Sequence, residues 1–268
     1  MKREGIIDFH LHLFPERIAC GALRKISEEI GMDAECLSSD ATAVGTERVL
    51  SPLGIERAVV CNIAVSPDRE EAVNSFALSL AHSRFFVPLG SLHPKSKNKE
   101  REIERLLLSG IKGIKLHPDF MKTPLSHSGY GEIFSLAERL GLFVLIHTGY
   151  NPFKEERALS TPEKIAKIKE KFDRLTLIAA HLGGFGMAER SFKALYGSGV
   201  YLDTSLSSLR EEESLYNVME AFGEDYILFG SDTPWSNPER ELSFIENLPI
   251  SETARGKILR ENALRLIL

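Results

Sequence analysis

The 268-residue sequence contains little cysteine, and that scarcity excludes two kinds of architecture. Cys20, Cys36 and Cys61 are its three cysteines, and no pair has the Cys-x-x-Cys spacing. An odd count without that spacing argues against a disulfide framework and against a cysteine zinc site. Buried thiols in a reducing compartment are the simpler interpretation, so we expect a cytoplasmic protein.

Long apolar runs and basic runs are missing as well. No apolar stretch reaches the roughly 18 residues that a membrane-spanning helix requires. The basic residues near the start are not followed by the apolar segment of a signal peptide. The formal net charge is -5, and the charged stretches mix both signs. We therefore expect neither a nucleic acid nor a membrane as partner, and a small molecule as substrate.

Short apolar runs alternate with longer amphipathic ones, and this alternation predicts eight strands separated by helices. The short runs are rich in Val, Ile, Leu and Phe, which is typical of parallel strands buried on both faces. A single domain over residues 1–268 is the simplest account, and about 250 residues is typical of a closed (β/α)₈ barrel, or TIM barrel. The strands are predicted at Ile6–His10, Ala58–Ile63, Phe86–Leu92, Ile111–His117, Leu142–His147, Leu175–His181, Val200–Asp203 and Tyr226–Ser231.

An open, doubly wound sheet is the alternative fold. Its usual Gly-x-Gly-x-x-Gly signature after the first strand is missing. Helices are predicted at Asp68–Arg84, at Asn98–Leu108 and from Thr161 to about Phe172. The widest gap between strands runs from Leu13 to Arg57, so it must hold more than one helix, and part of it is expected to form a lid over the site.

Histidines concentrate where the predicted strands end. Residues two apart on a strand point the same way, so Asp8, His10 and His12 should share a face, as should Lys115 and His117. His82 and His127 lie elsewhere and receive no role. Six of the eight histidines close or directly follow a strand: His10, His12, His93, His117, His147 and His181.

Each of these residues has a simpler explanation when it is taken alone. A single His-x-His is weak evidence for a metal, and Asp232 could cap the helix after the last strand. His93-Pro94 and His117-Pro118 could simply start loops. Taken together, however, strands one, four, five, six and eight all deliver polar groups to one rim. Because barrel active sites form at the C-terminal ends of the strands, this set predicts a metal-dependent enzyme.

Five motifs in chain order resemble the amidohydrolase superfamily, and most closely its amidohydrolase-2 branch. That branch includes aminocarboxymuconate semialdehyde decarboxylase and related aromatic-acid decarboxylases. The ordered set is specific, although each motif alone is not. The motifs are Ile7-Asp8-Phe9-His10-Leu11-His12, Gly113-Ile114-Lys115-Leu116-His117-Pro118, Ile146-His147-Thr148-Gly149, Ala180-His181-Leu182-Gly183-Gly184 and Phe229-Gly230-Ser231-Asp232-Thr233-Pro234.

The resemblance implies a role for each residue of the rim. One divalent ion, usually zinc, would be held by four ligands and would activate a bound water, with His181 orienting or deprotonating that water and Asp232 sharing in catalysis. Lys115 and His117 would contact substrate. A carboxylated Lys115 bridging a second metal is the alternative, and we favour one metal. A homodimer is compatible with the family. The implied metal ligands are His10, His12, His147 and Asp232.

Three functions remain open at this point. Hydrolysis of a small anionic or cyclic substrate is favoured, and non-oxidative decarboxylation of a small unsaturated or aromatic acid is the alternative. A non-catalytic barrel with a structural metal belongs to another class, and such a site would leave no open coordination position. Arg157 and Arg210 could pair with a substrate anion, although solvated surface is the simpler interpretation of both.

Overall fold

Eight parallel strands form the centre of the molecule in the computed structural model, which describes residues 4–151, 158–209, 217 and 219–268. Each strand pairs with its neighbour in chain order, as one ladder of three strands and one of five. The strands are β1 Ile6–Leu11, β2 Ile55–Val60, β3 Phe86–Pro88, β4 Gly113–Leu116, β5 Phe143–Ile146, β6 Leu177–Ala179, β7 Tyr201–Asp203 and β8 Ile227–Leu228.

Backbone hydrogen bonds join the two ladders at both seams. Between β3 and β4, the amide of Lys115 donates to the carbonyl of Gly90 at 2.8 Å. Between β8 and β1, the amide of Phe9 donates to Phe229 at 2.7 Å, and the amide of Asp232 donates to His10 at 2.7 Å. The chain therefore forms the predicted barrel, with its last strand alongside its first.

All eight predicted strands are present, but several have different limits. β2 begins three residues earlier than predicted, at Ile55, and includes the exposed Glu56 and the half-buried Arg57, whose charged side chains hid this part of the strand from the apolar pattern. β6 ends at Ala179, because His181 and Leu182 adopt left-handed φ angles of 59° and 50° that no strand can continue. The strict alternation predicted for β1 is also interrupted, since its pairing register shifts between Asp8 and Leu11.

Helices follow most of the strands, and the predicted ones are confirmed with small changes. The predicted helix at Asp68–Arg84 is shorter, with a 3₁₀ turn at Pro67–Arg69 followed by a helix that ends at Ser79. No helix of the described part of the chain has the length and apolar character needed to cross a membrane. The α-helices are α1 Glu16–Ile30, α2 Ala43–Leu50, α3 Glu70–Ser79, α4 Lys99–Leu108, α5 Ser128–Leu140, α6 Pro162–Lys171, α7 Ala188–Leu195, α8 Pro238–Asn247, α9 Glu252–Gly256 and α10 Asn262–Ile267.

The gap from Leu13 to Arg57 holds α1 and α2, which confirms that it contains more than one helix. Leu23 and Ile30 of α1 pack in a cluster with Trp235, and Phe120 borders the same cluster. Trp235 follows β8 and Phe120 follows β4, so α1 lies against the loops at the carboxyl ends of the strands. This is the side on which a lid was expected.

The packing between the loop after β3 and the start of α5 yields a stability test. A Cβ added at Gly129 would overlap the backbone carbonyl oxygen of Pro94, whereas one added at Gly131, two residues along the same helix, meets nothing within 4 Å. We expect Gly129→Ala to lower the free energy of unfolding by about 1–3 kcal/mol through overpacking. Gly131→Ala should raise it by up to about 1 kcal/mol, since alanine favours a helix. Equal denaturation midpoints for both variants would contradict this account.

Candidate metal centre

Three predicted metal ligands meet at the seam between β1 and β8. The potential ligand atoms of His10, His12 and Asp232 all lie within 4.8 Å of one another, and all three side chains are buried. Asp232 Oδ1 lies 3.1 Å from His12 Nε2 and 3.6 Å from His10 Nε2. The backbone bonds of this seam, including the 2.8 Å bond from the amide of His12 to the carbonyl of Thr233, fix that arrangement.

These separations suit a shared cation. Ligand atoms that are each about 2.0–2.1 Å from a zinc ion lie roughly 3–3.4 Å from one another. Asp232 Oδ1 is buried and accepts no well-aligned hydrogen bond from any described residue, even though His12 is near. A buried carboxylate oxygen without such a bond is costly unless a cation satisfies it. The donor set of two imidazoles and one carboxylate therefore fits a divalent metal ion.

The fourth predicted ligand, His147, lies outside that group. Its Nδ1 is 3.0 Å from His181 Nε2, and its ring stacks on His117 with centroids 3.8 Å apart and planes at 5°. Its Nε2 atom is buried and has no hydrogen-bond partner among the described residues. Binding by His147 in concert with the other three therefore remains a prediction.

A second cluster of possible ligands consists of His117, Asp119 and His147, whose ligand atoms also lie within 4.8 Å of one another. The imidazole lone pairs lie in the ring planes. Because the rings of His117 and His147 are stacked and nearly parallel, they cannot both direct a lone pair at one ion between them. This cluster is thus better described as an aromatic stack, which Phe120 extends at a centroid distance of 4.1 Å from His117.

His181 connects the stack to the His10–His12–Asp232 group. Its Nε2 faces His147, and its Nδ1 lies 2.8 Å from the hydroxyl of Ser205. Its ring also stacks on that of His10 at a centroid distance of 5.3 Å. His181 therefore lies between the two predicted ligands His10 and His147, with both of its nitrogens directed at protein groups.

Lys115 completes the centre from β4. Its Nζ lies 2.8 Å from His10 Nε2, and the side chain is 1% exposed. Burial lowers its pKa from the ordinary value of lysine. A lysine nitrogen donates hydrogen bonds in either protonation state, so Lys115 presents a donor at the atom of His10 that faces the group.

Burial keeps four of the imidazoles neutral at pH 7. It lowers the pKa of His12 to about 4 and that of His181 to about 3. The pKa values of His117 and His147 lie well below the usual range for the same reason, with neighbouring histidines adding to the effect. Neutral imidazole is the form that binds metals, so the histidines need no proton release before they bind an ion.

The carboxylates of the centre are held in the ionised form. Burial alone would raise the pKa of Asp232, but the nearby His10 and His12 lower it below the usual range. The same balance applies to Asp203, where His10 is again the main lowering neighbour. Asp8 behaves differently, since burial raises its pKa to about 6 despite hydrogen bonds from Ser231 and from the amide of His10.

Asp203 and Ser205 belong to the centre, and sequence reasoning missed both. Asp203 Oδ2 lies 3.0 Å from His10 Nδ1, and the Ser205 hydroxyl contacts His10 and His181. A signal for Asp203 existed, because it ends a predicted apolar strand, as Asp232 nearly does. No comparable signal marks Ser205, which follows in a run of small polar residues.

Access to the centre is narrow. His10 is 1% exposed, whereas Asp232 and His12 are 7% and 9% exposed, so the open side lies toward the last two. His93, which also follows a strand, contacts Glu70 through its backbone amide and belongs to none of these groups. Arg157 and Arg210, considered above as partners for an anion, lie outside the described residues.

A comparison with protein-family models gives a match over almost the whole chain. The model of the amidohydrolase family, in its amidohydrolase-2 form, matches residues 7–267. The match spans β1 through α10 and includes every residue of the centre. A comparison with curated protein sequences gives no match.

Solved structures with the same architecture cover nearly the whole chain. An uncharacterised TIM-barrel protein from Bordetella bronchiseptica is 20% identical, with 98% of both chains covered and a TM-score of 0.77. A 2,6-dihydroxybenzoate decarboxylase from Rhizobium is 16% identical, with 98% of both covered and a TM-score of 0.72. A 5-carboxyvanillate decarboxylase from Novosphingobium aromaticivorans, complexed with manganese, is 16% identical, covering 98% and 96%, with a TM-score of 0.77. At these identities the likeness establishes the TIM-barrel fold.

The metal group can be tested by removing two of its members. We expect the double variant His10→Ala/His12→Ala, reconstituted with Zn²⁺ or Mn²⁺, to retain little bound metal after dialysis, because two of the imidazole donors are gone. Metal content is measured by elemental analysis per folded protein. The single variant His82→Ala serves as the control, since His82 lies outside the centre. Wild-type metal content in the double variant would show that the ligands lie elsewhere.

His181 is expected to act in turnover more than in metal retention. Asparagine tolerates the left-handed φ that position 181 adopts, so His181→Asn should preserve the turn. We expect this variant to keep near-normal metal content while losing about 10²–10⁴-fold in kcat, the usual contribution of acid–base assistance. Turnover per bound metal equal to wild type would refute the assignment, and loss of metal would make His181 a ligand instead.

Proposed function

Because the chain belongs to the amidohydrolase family, we propose that it is a metal-dependent enzyme that decarboxylates a small, flat, unsaturated or aromatic carboxylic acid without an oxidant. The observation that carries this proposal is the combination of a buried cation-binding group, a lysine donor and a stack of aromatic rings beside them.

The metal is proposed to be a single divalent ion held by His10, His12, His147 and Asp232. Imidazole nitrogens favour zinc and similar transition metals, so we propose zinc as the metal. Manganese is the alternative, and the experiments below include both ions. Such an ion supplies electrostatic stabilisation of negative charge on substrate oxygens. Lys115 is proposed to contact the substrate rather than to bridge a second metal.

The shape of the substrate follows from the stack. The stacked rings of His147, His117 and Phe120 form an aromatic cluster beside the metal group, and a flat aromatic substrate would pack favourably next to such a cluster. Lys115 Nζ, on β4, contacts His10 Nε2 at the metal group, and we propose that it also holds a substrate oxygen there. We propose a flat acid with its carboxylate toward Lys115 and the metal, and with its ring next to the edge of His117, whose two faces are covered by His147 and Phe120.

Burial favours loss of carbon dioxide in this setting. A carboxylate taken out of water loses the hydration that stabilises its charge, whereas the departing CO₂ is neutral. The groups nearest the reaction are 1–9% exposed. In the balanced step the bond between carbon and carboxylate breaks, its electron pair stays on the substrate carbon, and one proton adds there. We propose that this proton comes from a solvent water, which leaves as hydroxide, and that His181 and Asp232 relay it to the substrate carbon.

Structures of enzymes with this fold and a named reaction also support decarboxylation over hydrolysis. Two of the structures with this fold, at 16% identity each, are a 2,6-dihydroxybenzoate decarboxylase and a 5-carboxyvanillate decarboxylase. The sequence alone favoured hydrolysis, and these relatives reverse that order. We also propose that the enzyme acts in the cytoplasm as one domain.

The reaction is tested with protein loaded with Zn²⁺ or Mn²⁺. A panel of hydroxybenzoates, aminobenzoates and small unsaturated acids is assayed for CO₂, next to lactones, amides and esters of similar size. We expect the best substrate to release one CO₂ for each molecule consumed and to yield the acid-free product. Turnover confined to lactones, amides or esters would establish hydrolysis, and no turnover by a metal-loaded protein in a broad panel would favour the non-catalytic barrel.

Lys115→Met provides the matched variant for this assay, since methionine fills a similar volume without a donor. Hydrogen bonds to charged groups contribute about 1.5–3 kcal/mol. We therefore expect kcat/KM for the best acid to fall by roughly 10- to 150-fold, while metal content stays near wild type. An unchanged kcat/KM would remove Lys115 from the substrate site.

A further inference from the structure

Asp203 at the end of β7 contacts the centre through both of its carboxylate oxygens. Its Oδ2 lies 3.0 Å from His10 Nδ1. Its Oδ1 accepts hydrogen bonds from the backbone amides of His181 and Ser205, each at 3.1 Å, and from the Ser205 hydroxyl. The side chain is fully buried. No role has been given to it so far in the proposed reaction.

The contact with His10 decides which nitrogen of that ring carries the proton. An ionised carboxylate only accepts hydrogen bonds, so His10 Nδ1 must donate to Asp203. The lone pair of the neutral ring is then on Nε2, the atom that faces Lys115 and Asp232. A carboxylate behind a metal-binding histidine holds the ring in this tautomer and makes the free nitrogen a better ligand.

The contacts of Asp203 Oδ1 involve the second imidazole, that of His181. His181 has a left-handed φ of 59°, and Leu182 follows at 50°, a conformation that costs a non-glycine residue about 1–2 kcal/mol. The amide of His181 donates to the Asp203 carboxylate, and the amide of Leu182 donates to the Asp203 backbone carbonyl at 2.7 Å. Asp203 therefore holds the turn that directs His181 into the centre.

We propose that Asp203 is a positioning residue that sets the tautomer of His10 and the orientation of His181 at the same time. This inference rests on the proposed metal role of His10. In this proposal, the Asp203 carboxylate at the end of β7 orients both the imidazole of His10 on β1 and that of His181 after β6. Asp203 itself is not proposed as a ligand. Both oxygens of Asp203 are engaged by protein donors, so in this proposal Asp203 acts through the two rings, even though its carboxylate lies within 4.8 Å of the ring nitrogens of His10 and His181.

The test measures metal binding in the absence of substrate. Metal-free wild type, Asp203→Asn, Ser205→Ala and Glu241→Gln are titrated with Co²⁺ and Zn²⁺, and the Co²⁺ absorption spectrum is recorded. We expect Asp203→Asn to weaken metal binding by about 10- to 100-fold and to change the spectrum, as is usual for partners behind a ligand. Ser205→Ala keeps the carboxylate on His10 and should weaken binding less.

Glu241→Gln is the matched control, because Glu241 is another buried carboxylate that accepts serine hydrogen bonds, from Ser208 and Ser236, and accepts none from an imidazole of the described residues. We expect it to lower thermal stability without changing metal affinity. Nitrogen-15 NMR of the metal-free proteins reports the tautomer of each histidine ring, and this measurement does not depend on the stability of the fold. His10 should show the Nδ1–H tautomer in wild type and lose that uniform pattern in Asp203→Asn.

Two outcomes separate this inference from the proposed function. If His10→Ala binds metal as tightly as wild type does, the proposed metal centre itself is wrong. If His10→Ala loses metal but folded Asp203→Asn keeps wild-type affinity, spectrum and tautomer, only the role of Asp203 is overturned. Should Asp203→Asn fail to fold, Asp203→Glu is measured in its place, and wild-type values for that displaced carboxylate would also overturn the role.

Discussion

The seam between the first and last strands is the constraint on which the proposed centre depends. His10 and His12 come from one side of this seam and Asp232 from the other, and the backbone bonds that close the seam are made by these same residues. The register of β1 against the loop after β8 therefore sets the distances among the potential ligands. A shift of one residue along this seam would separate the carboxylate from the two imidazoles.

Burial at that seam has a chemical consequence. Neutral imidazoles next to ionised carboxylates form a site that has a strong preference for a cation and little water to solvate one. The protein meets this cost with hydrogen bonds from neighbouring strands, such as those that Asp203 accepts on β7. The fold thus keeps several polar groups in an apolar interior by giving them partners on other strands, whereas Asp232 Oδ1 and His147 Nε2 have no well-aligned hydrogen-bond partner among the described residues.

The sequence predicted the architecture well, because eight apolar runs separated by amphipathic ones have few ways to fold other than the barrel. It also predicted that His10, His12 and Asp232 would lie together, since strand ends in a barrel share one rim. The stacking of His147 on His117 could not be predicted, because ring orientation depends on packing between loops. The same holds for the contact of Asp203 with His10, which joins residues on two strands that are far apart in the chain.

The position of the ligands along the chain also matters for how the protein is made. His10 stands near the beginning and Asp232 lies after more than two hundred intervening residues, so the entropy of closing a very long loop opposes their meeting. During synthesis, a ribosome-bound chain that has completed seven strands already carries the histidines of β1, β5 and β6 but lacks the carboxylate. The complete set of proposed ligands therefore exists only after β8 and the loop behind it have left the ribosome, so the proposed metal would be bound late in the maturation of the chain.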